Sequence, residues 1–247
     1  MKINGFIFHL IIIMTVGFIA TDIYLPSMPS IAGYFAVNAN LVQMTMPAYL
    51  ISFASSQLIC GPLSDMIGRR KVIIIGLAIG VFAAFFCMLA VNIEMLILAR
   101  LLQGIGLGGM TVASRTVIAD RYDGKLRAKI GSVIGSLMPI IVTIAPLIGG
   151  VIEQYFGWRA VFIFLFCYML IVLLMTKQYF PETNNKQERK SLQQVLAAYI
   201  ELLTNKYFMY YALIPAAVML GIISYLTASP FLFQDLLGLS PQEFGVA

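Results

Sequence analysis

Seven long apolar runs, near residues 6–25, 42–60, 72–91, 95–118, 130–152, 160–176 and 208–233, constrain this chain more than any other feature in it. A helix rises about 1.5 Å per residue, so about 20 residues cross the roughly 30 Å hydrocarbon core of a bilayer. The sixth run is the shortest. Lipid offers no hydrogen-bond partner to an open strand edge, so all seven runs are expected to be helices. Composition agrees: 60% of residues are hydrophobic and 11% are charged, and a mean hydropathy of +0.91 is above what a water-facing surface tolerates. The expected fold class is all-α, a polytopic membrane helix bundle. The first run, Phe6 to Leu25, has Asp22 and Pro26 near its end in place of a small-residue cleavage site, and reads as a retained helix.

The formal net charge of +5 is a topology signal before it is a nucleic-acid signal, and no nucleic-acid partner is expected. Lys2 precedes the first run. Arg69, Arg70 and Lys71 lie in the second connection, and Arg121, Lys125, Arg127 and Lys129 in the fourth. Lys177, Lys186, Arg189, Lys190 and Lys206 lie in the sixth. All of these fall on one side of the membrane. The other side carries Arg159 beside the acids Glu94, Glu153, Asp235 and Glu243. By the positive-inside rule the N-terminus is cytoplasmic and, after seven crossings, the C-terminus is external. That sidedness is opposite to the one a seven-helix receptor requires.

Two cations remain, Arg100 and Arg115, both inside the fourth run. A cation in a membrane helix costs several kcal/mol unless it meets a partner or a water-filled cavity, so each is a functional candidate. Arg115 lies near the cytoplasmic end, within reach of the loop acids. Arg100 lies about six residues, or roughly 9 Å, in from the outer end. Asp22 lies at a similar depth in the first run, and the two charges are expected to pair there and to bind and release a proton together.

The connection Gly61-Pro62-Leu63-Ser64-Asp65-Met66-Ile67-Gly68-Arg69-Arg70-Lys71 reads as a tight polar turn in which Gly61 and Gly68 permit the bend. Asp65 can accept hydrogen bonds from a helix N-terminus or an arginine. Gly104, Gly106, Gly108 and Gly109 remove bulk from the fourth helix and suit close helix packing. In the fifth run Pro146 is expected to bend the helix, with Gly149 and Gly150 allowing tight contact. Mixed polarity near helix centres nominates a cavity lined by Tyr49, Ser52, Gln57, Gln103, Met110, Thr111, Met138 and Thr143. His9 reads as an interfacial residue. Cys60, Cys87 and Cys167 stand singly, without the paired spacing of a metal site or disulfide. Gly104-x-Gly106 lacks the strand that a nucleotide-binding loop needs. No cofactor, metal or enzymatic activity is expected.

Four of these segments carry a resemblance. Gly61-x-Leu63-Ser64-Asp65-x-x-Gly68-Arg69-Arg70-Lys71 resembles the loop between the second and third helices of major facilitator transporters, without the usual basic residue at Met66. Arg100-x-x-Gln103-Gly104-x-Gly106 resembles their fourth-helix signature. Pro146-x-x-Gly149-Gly150 resembles the fifth-helix signature of their antiporters, with Ile141 and Ala145 where glycines are expected. Asp22-Ile23-Tyr24-Leu25-Pro26 resembles the first-helix motif of drug/proton antiporters, and closely that of the bicyclomycin-resistance branch. The resemblance implies proton-coupled efflux of a small amphiphilic drug by alternating access, in a bacterial inner membrane. It also implies that Asp65, Arg69 and Asp120, with Arg115 nearby, form a cytoplasmic charge network holding two halves of a transporter together.

The chain divides into a six-helix domain (1–176), a polar cytoplasmic linker (177–206) with an amphipathic piece from Ser191 to Leu203, and the first helix and outer loop of a second domain (207–247). Because the resembled family has twelve helices, the expectation is an interrupted coding sequence, with a second chain or a homodimer as the other means of completing the pathway. A truncated remnant or accessory membrane protein that transports nothing is the alternative.

Overall fold

The computed structural model describes residues 5–184 and 192–246. Lys2, Lys186, Arg189, Lys190 and Ser191 lie outside the described residues. Helices α1 (Gly5–Asp22) and α2 (Met28–Phe35) form the first span, joined by a short 3-10 turn over Leu25–Ser27 where Pro26 interrupts the backbone donors. A short α3 (Ala39–Gln43) leads into α4 (Thr45–Ile67), followed by α5 (Arg69–Met88), α6 (Ile93–Arg121), α7 (Gly124–Phe156) and α8 (Trp158–Tyr179). An amphipathic α9 (Leu192–Thr204) precedes α10 (Lys206–Phe231), which continues as a π-helical turn over Leu232–Leu236, and α11 (Pro241–Val246) follows. Among the described residues, seven helical spans are long and apolar enough to cross a membrane, one for each apolar run. The fold class is as expected: all-α, a polytopic helix bundle.

The spans alternate in direction, so the bundle has two ends. The Arg69 end gathers the start of α1, the α4–α5 turn, the α6–α7 turn and the end of α8. The Trp158 end gathers Asp22 to Phe35, the α5–α6 and α7–α8 turns, and α11. At the latter end Arg159 donates to the carbonyls of Met88 (3.2 Å) and Ala90 (2.9 Å) and lies against the rings of Tyr34 and Trp158.

Helix α6 is the centre of the six-helix unit, packed along its length on α4 and α5. Its glycines decide this. A Cβ at Gly104 would collide with the Tyr49 carbonyl oxygen and Ser52 Oγ, and one at Gly108 with the Phe53 carbonyl oxygen and Ser56 Oγ. Two residues round the helix, a Cβ at Gly106 would meet the Gly76 carbonyl oxygen and Ile79 instead. One side of α6 thus approaches the α4 backbone and the adjoining side approaches α5, as small-residue packing permits.

Gly61 differs from its expected role. It lies inside α4, and a Cβ there would meet nothing closer than Val112 at 4.0 Å. The turn is made by Gly68 alone, the single residue between α4 and α5, with φ +103°. Pro146 lies within α7, which continues as one helix through both Pro139 and Pro146. Gly149 and Gly150 do mark tight contacts: a Cβ would collide with the Ile23 carbonyl oxygen at the first and the Pro241 carbonyl oxygen at the second.

Helix α11 is short and self-capped. The Ser240 amide and hydroxyl each donate to Glu243 Oε2 at 2.8 Å, and these bonds hold the Glu243 carboxyl below its usual range. The capping therefore weakens as pH falls through the carboxylate range.

Because backbone atoms face Gly104, no rotamer change can relieve a larger residue there. Gly104→Val is expected to destabilise the bundle by about 1–3 kcal/mol, while Gly61→Ala leaves it within about 0.5 kcal/mol of the parent. Thermal unfolding in detergent checks both.

Candidate functional site

The core of the site is Arg100. It is fully buried, and its guanidinium lies between the rings of Tyr24, 4.2 Å from the centroid, and Tyr49, 4.3 Å from the centroid. Each ring contact with a desolvated cation contributes about 2 kcal/mol. Together they offset much of the cost of holding the charge away from water. Nη1 donates to the Ala20 carbonyl (2.9 Å) and to Gln103 Oε1 (2.5 Å), one turn further along α6. Nε and Nη2 of Arg100, and Nε2 of Gln103, have no hydrogen-bond acceptor among the described residues. Buried donors of this kind are rare inside proteins, which makes the surroundings of Arg100 the candidate site.

The two tyrosines come from different elements. Tyr24 follows α1, where the helix ends before Pro26, and its hydroxyl is 3.2 Å from Thr45 Oγ1. Tyr49 is on α4, and its hydroxyl donates to the Gly17 carbonyl at 3.0 Å. The close approach of α4 at Gly104 brings the Tyr49 ring to the guanidinium. Tyr24 was absent from the residues nominated by sequence, although the Asp22-Ile23-Tyr24-Leu25-Pro26 motif contains it.

Asp22, at the C-terminal end of α1, is 3% exposed. It lies within electrostatic reach of Arg100 but does not form the direct ion pair expected: both ion pairs among the described residues belong to Arg69. The guanidinium is turned to Ala20 and Gln103 instead. The expected pair is therefore a proximity of two buried charges.

The eight nominated cavity residues do not converge. Tyr49, Gln103, Met110 and Thr111 are buried, with Tyr49 and Gln103 beside Arg100. Met110 packs where Gly76 of α5 approaches α6, so it belongs to the core. Thr111 donates to the Leu107 carbonyl and lies close to Gly17. Ser52 packs on Gly104 and lines a groove of about 430 Å³ between α4 and α6. Gln57 and Met138 are half-buried, and Thr143 is exposed, its hydroxyl bonded to the Pro139 carbonyl. The reason is helix phase, since adjacent polar residues point about 100° apart around an α-helix.

A second constellation lies at the Arg69 end. Arg69 is 6% exposed and pairs with Asp65, with Asp120 Oδ2 at 2.9 Å through Nε, and with the Ser64 hydroxyl. These groups come from α4, α5 and α6. The network therefore staples three helices of the six-helix unit. Arg115 is not a member. It is exposed and has no ion pair among the described residues.

Glu182 was missed by sequence reading, which placed it in a polar linker. Its Oε1 accepts from the backbone amides of Arg69 (2.9 Å), Thr183 (3.0 Å) and Asn184 (3.1 Å), and its Oε2 from that of Arg70 (3.3 Å). A carboxylate at the N-terminus of α5 satisfies orphan donors and complements the helix dipole. A Cβ at Gly68 would meet only this carboxylate, the movable end of a side chain, so it is the φ of +103° that calls for glycine there. The Arg70 side chain reaches the Lys177 carbonyl at 2.6 Å. His9 is buried, with Nε2 3.0 Å from Thr176 Oγ1. That hydroxyl donates to the Val172 carbonyl, so His9 is the donor between the two.

An alternating helical bundle with a buried arginine and a three-helix charge staple has the architecture of a polytopic membrane protein. The chain belongs to the Major Facilitator Superfamily, whose family model matches residues 10–247. Members of that superfamily are transporters and not enzymes. An MFS-type transporter of Bacillus subtilis, YdgK, is 33% identical over 91% of this chain and 57% of its own length. Multidrug resistance protein D of Escherichia coli is 32% identical over 96% of the chain and 60% of its own length. A chloramphenicol resistance protein of Pseudomonas aeruginosa is 28% identical over 91% and 53% respectively. The chain thus spans between half and two thirds of the length of these relatives. Among solved structures, a bacterial homologue of the human lysosomal transporter Spinster, in an inward-facing and occupied conformation, superposes with a TM-score of 0.77. It is 22% identical, covering 97% of this chain and 56% of that one.

Breaking the Arg69 staple leaves a mostly buried guanidinium with one acid fewer, while the acids are partly exposed, at 33% for Asp65 and 26% for Asp120. Asp65→Asn and Asp120→Asn are each expected to cost about 1–3 kcal/mol, below the 3–5 of fully buried pairs, and Glu182→Gln about 1 kcal/mol. Melting curves of the purified chain at two ionic strengths check these values.

Proposed function

We propose that this chain carries the proton-coupling part of a drug efflux antiporter resembling the bicyclomycin-resistance branch. The observation that carries the reading is the Arg100 clamp: a fully buried cation with unused donors, beside a buried carboxylate, Asp22. A carboxylate that gains or loses a nearby cation gains or loses a proton readily. Rotation of the Asp22 or Arg100 side chain by a rotamer step would switch Asp22 between those conditions. The unused donors of Arg100 and Gln103 then take either Asp22 or a substrate acceptor group. Substrate and proton compete, and alternating access converts the competition into exchange.

In this reading the Arg69 end is cytoplasmic and the Trp158 end external, in keeping with the distribution of basic residues. Residues 1–176 form the six-helix domain, 177–206 a linker whose first residues dock on that domain through Glu182, and 207–247 the beginning of a second domain. The Arg69 staple stabilises the cytoplasmic face of the first domain. Small amphiphilic drugs are the substrate class, supported by the names of the relatives. A partner surface for the exposed faces of α7 and α10 comes from a second domain or a second copy.

The test is proton-driven efflux of a fluorescent cationic dye from vesicles containing this chain. Asp22→Asn is expected to abolish dye-linked proton flux, and Arg100→Lys to reduce it at least tenfold, because an ammonium cannot fill the planar slot between two tyrosines. Flux that survives Asp22→Asn would sink the reading.

A further inference from the structure

We propose that the groove between α5 and α6 at the Trp158 end is a lipid site, and that its occupant is a phospholipid whose headgroup ends in a primary ammonium. The groove measures about 520 Å³. Phe82 and Phe86 of α5 and Leu98 and Leu102 of α6 supply its apolar walls, and the buried Ala99 lines it without filling it. Glu94 is the one charged side chain among the described residues that line it.

Depth and polarity together match an amphiphile. Glu94 is the second residue of α6, so its carboxylate stands where that helix enters the bilayer. Leu102 lies eight residues further on, about 12 Å along the axis, against about 15 Å for half the hydrocarbon core. A headgroup at Glu94 therefore leaves its acyl chain lying beside Leu98 and Leu102 within one leaflet. The face on which the groove opens is built for lipid. Between Ile75 and Phe85 the exposed residues of α5 are Ile75, Ala78, Phe82 and Phe85, all apolar. The exposed face of α7, by contrast, carries Ser132, Ser136 and Thr143, side chains that suit a neighbouring helix.

The headgroup chemistry comes from Glu94. It is exposed and has no ion pair among the described residues. An acid in the first turn complements the helix dipole, but the cap of α6 is made by Asn92, whose Oδ1 accepts from the Met95 amide at 2.8 Å. The arginines at this end are engaged elsewhere. Arg159 donates to the Met88 and Ala90 carbonyls, and Arg100 lies between Tyr24 and Tyr49. A carboxylate repels a headgroup whose only charge is its phosphate. It accepts charge-assisted hydrogen bonds from an ammonium that carries N–H groups, and a quaternary ammonium carries none. The complementary headgroup is thus a primary ammonium.

A lipid held in this way supports the contact of α5 with α6 from the outside. Ala99 in the groove and the buried Arg100 are consecutive residues, so the lipid lies against the same turn of α6 that carries the arginine. The site does not depend on the antiport reading, and its test involves no transport.

Native mass spectrometry of the whole chain, released from nanodiscs of equal parts phosphatidylethanolamine, phosphatidylcholine and phosphatidylglycerol, supplies that test. Phosphatidylethanolamine is expected to stay bound about fivefold over either of the others, a preference that one exposed ion pair can support. Glu94→Gln is expected to erase the preference. Leu102→Trp, which fills the groove below the headgroup, is expected to lower the amount of phosphatidylethanolamine retained. Equal retention of the three lipids by the parent, a preference for phosphatidylglycerol, or a preference unchanged in Glu94→Gln overturns the proposal. Phosphatidylcholine held as well as phosphatidylethanolamine overturns it too, since no N–H group would then be read. An unchanged count in Leu102→Trp would put the lipid elsewhere, and a dimer that Leu102→Trp dissociates would give the groove to a second copy of the chain; either result overturns it. If Leu102→Trp does not fold, the Glu94→Gln comparison decides.

Discussion

The approach of α4 and α5 to the bare backbone of α6 is the constraint on which the rest of the structure depends. Between Gly104 and Gly109 the helix presents four glycines, and carbonyl oxygens of Tyr49, Phe53 and Gly76 occupy the space that side chains would have filled. Lipid tails are as apolar as leucine, so helices in a membrane are held by close packing and polar contacts and not by exclusion of water. Remove that proximity and Tyr49 withdraws from Arg100, leaving the guanidinium with one ring and two hydrogen bonds.

From that packing the two charge constellations follow. At one end Arg69 joins α4, α5 and α6 through Asp65 and Asp120, while Glu182 caps α5 and ties the chain after α8 to the same corner. At the other end the first span breaks at Leu25–Ser27, which frees Tyr24 to cover Arg100 and sets Ser30 against Glu153. The first end is ionic and partly wetted. The second is a set of buried polar groups, several without a hydrogen-bond partner among the described residues.

Much of this was legible in the chain. The seven apolar runs gave the spans, the glycines of the fourth run announced close packing, and Arg69, Asp65 and Asp120 were named together from a motif. Arg100 and Asp22 stood out because charge in an apolar run is costly. Less legible was everything set by rotation about a helix axis. Met110 and Thr111 follow one another in sequence, yet one packs where α5 approaches and the other lies against α1. Arg115 shared the helix of Arg100 but is exposed and has no ion pair among the described residues. Glu182 lay in a polar stretch with the composition of a linker, and only its docking on α5 distinguishes it.

Hydropathy and chain length alone thus committed this protein to a bundle of membrane helices, since lipid leaves backbone polar groups no other way to be satisfied. The motifs committed it to a buried arginine and a basic turn. Which rings enclose that arginine, which acids reach Arg69, and which hydroxyl meets Glu153 came from long-range packing. Those contacts join residues on different helices, and their existence depends on the phase and depth at which each helix meets its neighbours, quantities that no local pattern of residues encodes.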